Sequence, residues 1–382
     1  MPFSSRIVAE REPNRLTLAI AAARRSGRSL VDLTVANPTA AELPYEGGRI
    51  LAALSATAGL VYDPSPLGLR STRGAIAEQW REVGMSVATE QIVLTASTSE
   101  AYALLFKLLC DPGDEVLAPE PSYPLFEDLA RLESVRLVPY PVRYDGSWHL
   151  DLAGMRSAVS RRTRAVLVVS PNNPTGNYLK HGELTALLGL GLPIICDEVF
   201  ASFPLREVRH RVRSVLEARA GLVFALDGLS KRAGLPQLKL GWITVGGELA
   251  RRTEAIERLE IIADTYLSVG TPVQLAAPQL LAVSRVTREA IQRRLTSNLS
   301  SLRAALADTT GTVLDVEGGW YATVRLPSTA TEEDWVLELL DAGVVVHPGW
   351  FYDFPRGPII VLSLLTPEGS FDAGIDRLRQ LL

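Results

Sequence analysis

The middle of the chain alternates short β-branched runs with stretches of helical periodicity, and that alternation is what most narrows its possible folds. Strand-like runs fall at 92–96, 115–118, 136–139, 165–170, 193–196, 222–226 and 240–245. Helix-like stretches lie between several of them, at 100–109, 125–132 and 182–188. Alternation of this kind builds a mostly parallel sheet covered by helices. Segments 248–262 and 285–307 also read as helices. After Gly311 the pattern changes to strand, strand, helix, strand, helix, which predicts a smaller α+β unit. The expected fold class is therefore α/β with a second, smaller α+β domain. An N-terminal arm at 1–44 belongs partly to the small unit, a large domain spans 45–275, and a small C-terminal domain spans 276–382.

Composition supports this and removes several function classes. A length of 382 residues suits two or three lobes at about 150 residues per domain. With 47% apolar and 21% charged residues the chain can bury a core, which argues against disorder. The 43 acidic residues against 39 basic ones leave a net charge of −4, and no basic stripe marks a nucleic-acid partner. No apolar run approaches the roughly 20 residues of a membrane helix. The mildly apolar stretch 16–23 ends in Arg24-Arg25 and reads as a helix capped by Asn14, not as a targeting core. A cytoplasmic location is the expectation. Cys110 and Cys196 are too few for a disulfide scaffold, and His149, His181, His210 and His347 lack metal spacing, so no metal is expected. Gly189-Leu190-Gly191 lacks the third glycine of a dinucleotide fingerprint. Only Lys107, Lys180, Lys231 and Lys239 are lysines, so any lysine chemistry has four candidates.

Ligands of an open parallel sheet bind beyond the carboxyl ends of its strands, and four such ends carry suitable groups. Ser97, Thr98 and Ser99 follow the run at 92–96 and precede a helix. They can cap it, and the helix N-terminus can also hold an anion such as phosphate. Pro171-Asn172-Asn173-Pro174-Thr175-Gly176 follows 165–170. The asparagines suit a turn, yet Asn173 would stand at the ligand edge with an amide to donate. Asp197-Glu198 follows 193–196, where a carboxylate ends an apolar strand and is either a cap or the partner of a buried cation. Ser230-Lys231 follows 222–226, where a lysine past a buried strand suits an amine nucleophile. A phosphate cradle, an amide donor, a carboxylate and a lysine are together what pyridoxal phosphate requires. The lysine forms its Schiff base, and the carboxylate keeps its ring nitrogen protonated.

With these residues in place the chain resembles the fold-type I pyridoxal-phosphate enzymes, specifically the class I/II aminotransferases. The likeness runs in order through Asn37-Pro38, Tyr62 with Gly68 and Arg73, Pro119-Glu120-Pro121-Ser122-Tyr123-Pro124, Asn173-Pro174-Thr175-Gly176, Asp197-Glu198-Val199-Phe200, Ser230-Lys231 and Lys239-Leu240-Gly241-Trp242. The resemblance implies transfer of an amino group between an amino acid or amine and a 2-oxo acid or aldehyde. It implies that Lys231 carries the cofactor and then moves the proton between substrate and cofactor. Asp197 would pair with the ring nitrogen, Asn173 would donate to the phenolic oxygen, and Tyr123 would stack on the ring. Ser97, Thr98, Ser99, Ser230 and Lys239 would bind phosphate, and Asn37 and Asn173 would meet substrate. Tyr62 matches the tyrosine that reaches the partner subunit's phosphate, which implies a homodimer with shared active sites.

Three positions depart from the family pattern. Phe200 stands where a tyrosine usually supplies a second donor to the phenolic oxygen. Lys239 replaces the phosphate-binding arginine. Val361 occupies the slot of the arginine that clamps the substrate carboxylate, and Arg356, in the preceding loop, is the nearest substitute. The cofactor motifs are also compatible with a lyase or cyclase of the same fold. A cofactor-binding regulator is a third reading, but no DNA-binding module fits before Leu33.

Overall fold

In a computed structural model, residues 3–7, 12–355 and 357–382 are described. A short strand β1 (Val31–Asp32) comes first in the chain. Then follow β2 (Ile92–Thr95), β3 (Glu115–Glu120), β4 (Arg136–Tyr144), β5 (Trp148–Leu150), β6 (Thr163–Val169), β7 (Ile194–Asp197), β8 (Leu222–Gly228) and β9 (Gly241–Gly247). These eight form one sheet in the order β2-β9-β8-β7-β6-β3-β4-β5. Parallel pairing joins β4 to β3, β3 to β6, β6 to β7 and β7 to β8. Strand β9 is antiparallel to both β8 and β2, so β2 points the same way as β6, β7 and β8. The carboxyl ends of those four strands therefore share one sheet edge, as the expected fold requires.

Both faces of this sheet are covered, which is why its strands read as nearly continuous apolar runs. Val166, Val168, Ile194, Cys196, Val223 and Ala225 face one buried cluster. The alternate residues Ala165, Leu167, Val169, Ile195, Phe224 and Leu226 face another, together with the helix Thr98–Leu109. Cys196 is buried in the first cluster, which agrees with a core role. The two-residue period places Asp197 on the side of the helix Thr98–Leu109.

The second unit holds β10 (Thr312–Val313), β11 (Tyr321–Arg325), β12 (Val344–Val345), β13 (His347–Pro348) and β14 (Ile359–Ser363). A four-stranded antiparallel sheet runs β10-β11-β14-β13, while β12 pairs in parallel with β1 of the N-terminal segment. Ala322, Val324, Ile360 and Leu362 point into a third buried cluster, which the long helix Arg285–Leu306 covers with Ile291, Leu295, Leu299 and Leu302. Asn14 caps the first helix, accepting from the Thr17 N–H at 2.8 Å, as its sequence position predicts.

Candidate functional site

Lys231 sits in a one-turn helix, Leu229–Arg232, directly after β8. Its ammonium end is enclosed, 4.9 Å from the centre of the Trp320 ring and 5.6 Å from that of Phe200. Among the described residues it has no ion-pair partner. Burial draws its pKa from 10.5 down to about 8, against the opposing pull of Asp197. Two neighbours fix the turn that carries it. Arg232 donates from Nε at 2.6 Å and Nη2 at 2.5 Å to Asp227 Oδ2, in a largely buried pair. Asp227 Oδ1 accepts from the Gly228 N–H at 2.7 Å.

Asp197 closes β7 and is 7% exposed. Its Oδ2 accepts from the Tyr102 hydroxyl at 2.9 Å and its Oδ1 from the Val199 N–H at 3.1 Å. Burial pushes its pKa up to about 6, while those two donors and the Lys231 ammonium restrain the rise. It is a carboxylate with two donors and no bonded cation.

The paired asparagines divide their work. Asn172 Nδ2 donates to Pro121 O at 3.1 Å and to Thr175 Oγ1 at 2.7 Å, so Asn172 builds the turn. Asn173 is buried, and its Oδ1 has no hydrogen-bond partner among the described residues. Gly176 ends the turn at φ +77°, where a Cβ would stand 2.4 Å from Val316 Cγ2.

The helix after β2 begins at Thr98, two residues earlier than its apolar pattern suggests, because Ser97 caps it. Ser97 Oγ accepts from the Glu100 N–H at 3.1 Å, and Glu100 Oε2 in turn accepts from the Ala96 N–H at 2.6 Å. The Ser97 hydroxyl is thus used as a cap, while the first-turn N–H groups have no acceptor inside the helix. Gly241 of β9 lies against this turn. A Cβ there would stand 3.1 Å from the Thr98 nitrogen and 3.0 Å from the Ser97 carbonyl carbon. Only glycine keeps that approach open.

Tyr123 is 40% exposed, its ring edge-on to Phe126 at 5.9 Å. Burial, and then the charge of Asp197, raise its phenol above its ordinary value. Phe200 packs on Trp320 at 5.4 Å and on Tyr321 at 6.2 Å. Lys231, Asp197, Tyr123 and Phe200 therefore fall in one cleft between the two sheets. Ser230 is half-buried beside Lys231. Lys239 is exposed, in the left-handed region at φ +52°, two residues before the β9 approach at Gly241. Tyr62 is 72% exposed beside the exposed Leu60 and Val61. Asn37 is exposed, and its Oδ1 accepts from the Thr39 N–H at 3.1 Å and from the Thr39 hydroxyl at 2.8 Å. Val361 is fully buried in β14, opposite Thr323 and His347. Arg356 lies outside the described residues.

Several site residues carry no motif of their own. Tyr102 is one helical turn beyond Thr98, on the buried face of its helix. Arg232 directly follows Lys231, and Trp320-Tyr321 follows Gly318-Gly319. An i, i+4 reading of the helix would have found Tyr102. Nothing local marks the others. Among the described residues no cluster of three or more His, Cys, Asp or Glu could hold a metal, and no helix is long and apolar enough to cross a membrane.

The sequence profile of "Aminotransferase class I and II" matches residues 52–358. The glutamate-pyruvate aminotransferase AlaA of Escherichia coli is 30% identical over 214 residues, covering 55% of this chain and 53% of that protein. The chain thus spans about half the length of that relative. A probable N-succinyldiaminopimelate aminotransferase DapC of Mycobacterium tuberculosis is 30% identical over 289 residues, covering 70% of this chain and 71% of that protein. The structure of an alanine aminotransferase from Pyrococcus furiosus superposes with a TM-score of 0.86 at 24% identity, covering 96% of this chain and 95% of that one. That likeness carries the fold, the mostly parallel sheet with a smaller antiparallel unit. The profile match, which takes in most of the chain, carries the family: this chain belongs to the class I and II aminotransferases.

Proposed function

We propose that this chain is a cytoplasmic, pyridoxal-phosphate-dependent aminotransferase that moves an amino group between an amino acid or amine and a 2-oxo acid or aldehyde. The observation that carries the reading is an enclosed lysine amine with no ion-pair partner, set at the same sheet edge as an enclosed carboxylate with no bonded cation. The residues fit the cofactor in two further respects. The Gly241 approach leaves the Thr98 nitrogen open to an anion, and Asn173 is buried with its Nδ2 making no hydrogen bond among the described residues. The Asn172 Nδ2 is already used, so Asn173 is the asparagine with an N–H left to donate.

Lys231 would hold the cofactor through Nζ, Asp197 would stand against the ring nitrogen, Asn173 against the phenolic oxygen, and Tyr123 against the ring face. Ser97, Thr98, Ser99, Ser230 and Lys239 would take the phosphate, and Asn37 would meet substrate. Pyridoxal phosphate, when bound, supplies an aldehyde that takes up amino groups and a ring that accepts the electrons of the adjoining C–H bond. The lowered pKa of Lys231 makes its neutral amine accessible close to neutral pH, so Nζ can accept a proton from one carbon and return it to another. Asp197 stays ionised at neutral pH because the Val199 N–H and the Tyr102 hydroxyl both donate to it. Trp320 and Phe200 cover one side of the amine. The exposed Leu60, Val61 and Tyr62 support a homodimer in which Tyr62 of the partner subunit completes the phosphate site. The large and small domains, 45–275 and 276–382, would be the two bodies that enclose the cleft.

Adding pyridoxal phosphate should produce a long-wavelength absorbance band that an amino acid bleaches and a 2-oxo acid restores. Restoration by the 2-oxo acid separates amino-group transfer from a lyase or cyclase. Lys231→Ala should lose the band, while variants at Lys107, Lys180 and Lys239 keep it. An unchanged band in Lys231→Ala would overturn the reading.

A further inference from the structure

Alternation along β11 and β14 sends Ala322, Val324, Ile360 and Leu362 into the core and leaves Tyr321 and Val361, with His347 opposite Val361, on the other face. That face belongs to the cleft, because the Tyr321 ring meets the Phe200 ring at 6.2 Å and Phe200 lies 5.6 Å from the Lys231 amine. Tyr321 is half-buried, and its hydroxyl has no partner among the described residues. The Tyr352 ring lies 6.5 Å from that of Tyr321, and its hydroxyl shares a 2.8 Å hydrogen bond with His347 Nδ1. Burial, then the neighbouring phenols, push Tyr321 and Tyr352 above the ordinary tyrosine value, so both remain protonated donors. Burial pulls His347 down against the charge of Asp32, which leaves a neutral imidazole at neutral pH. Among the described residues Arg325 is the one cation on this face. It stands at the far end of β11, 5.5 Å from the Tyr144 ring.

We propose that Tyr321, backed by Tyr352 and His347, is the specificity element of the cleft, donating its hydroxyl to a carboxylate of the amino donor and acceptor. This rests on the aminotransferase reading above. Neutral O–H donors take the part of a guanidinium: a buried carboxylate needs donors, and O–H···O⁻ bonds are short and strong. His347 is a positioning residue. When its Nδ1–H donates to the Tyr352 oxygen, the Tyr352 proton is free to point at the ligand.

The test is calorimetric titration of the pyridoxal-phosphate-loaded protein with 3-phenylpropanoate and with its uncharged isostere, 3-phenylpropanamide. The wild-type protein should bind the acid at least tenfold more tightly. Tyr321→Phe should weaken the acid by about tenfold or more and leave the amide within about twofold, as loss of one bond to a charged group implies. Tyr352→Phe should act in the same direction. His347→Asn, which keeps a donor in place, should preserve the preference for the acid, and His347→Leu should lose it. Equal affinity for the two probes, binding of neither, or equal loss of both in Tyr321→Phe would overturn the proposal. A wild-type amino-exchange assay run in parallel separates the two claims. Acid preference without exchange sinks the aminotransferase reading, and exchange without acid preference sinks this inference alone.

Discussion

Replacing Lys231 with methionine should make the cofactor-free protein more stable. The amine end of Lys231 is enclosed by Trp320 and Phe200, and no carboxylate bonds to it. A fall in pKa from 10.5 to about 8 corresponds to a penalty of roughly 3 kcal/mol on the buried ammonium. Methionine keeps the length of the side chain and removes the charge. Asp197 then loses the attraction of the ammonium, a smaller opposing effect, so the expected net gain at pH 7 is about 1–3 kcal/mol. The pH dependence has a definite sign. The unfolded lysine holds its proton to about pH 10.5, while the folded one releases it near pH 8. Between those values the unfolded state binds more protons, so wild-type stability rises with pH. Lys231→Met lacks that rise, and the gap between the two proteins should close towards pH 10.5. Urea midpoints at pH 7 and pH 10, with matching slopes, measure it. A methionine variant no more stable at pH 7, or a gap that stays constant with pH, would refute the reasoning.

Two further perturbations test the support around the site. Tyr102→Phe removes the 2.9 Å donor to Asp197, so the Asp197 carboxyl should rise further. Pyridoxal phosphate affinity at pH 6 should fall by about tenfold, and its pH midpoint should move upward, as read by absorbance titration. Arg232→Ala strands the buried Asp227 carboxylate and should cost about 3–5 kcal/mol in urea unfolding. Adding Asp227→Asn to that variant should recover much of the loss, and a cost below about 1 kcal/mol for Arg232→Ala alone would mean the pair does not hold the Lys231 turn.

The sequence by itself determined seven of the eight strands of the large sheet and the groups at their ends; the three-residue edge strand β5 (Trp148–Leu150) was too short to show a pattern. An apolar run, a turn residue and a capping serine act within a few residues of chain. Lys231, Asp197, Asn173 and Ser97 therefore stand at strand ends by local sequence alone, and the shared orientation of β2, β6, β7 and β8 turns those ends into one edge. Local patterning could not divide Asn172 from Asn173, because two adjacent asparagines suit the same turn. Their partners Pro121 and Thr175 come from the folded loops. Nor could it place β9, which inserts between β2 and β8 against the parallel direction and brings Gly241 to the Thr98 nitrogen. The Tyr102–Asp197 bond spans 95 positions of sequence, and the cleft face of Tyr321, His347 and Val361 is assembled from three strands. Contacts of this kind depend on strand order and register, which the whole sheet settles cooperatively and no single segment encodes. Tertiary structure alone decided what surrounds Lys231 and Asp197, and so their proton affinities, because burial and neighbouring charge are properties of the packed chain.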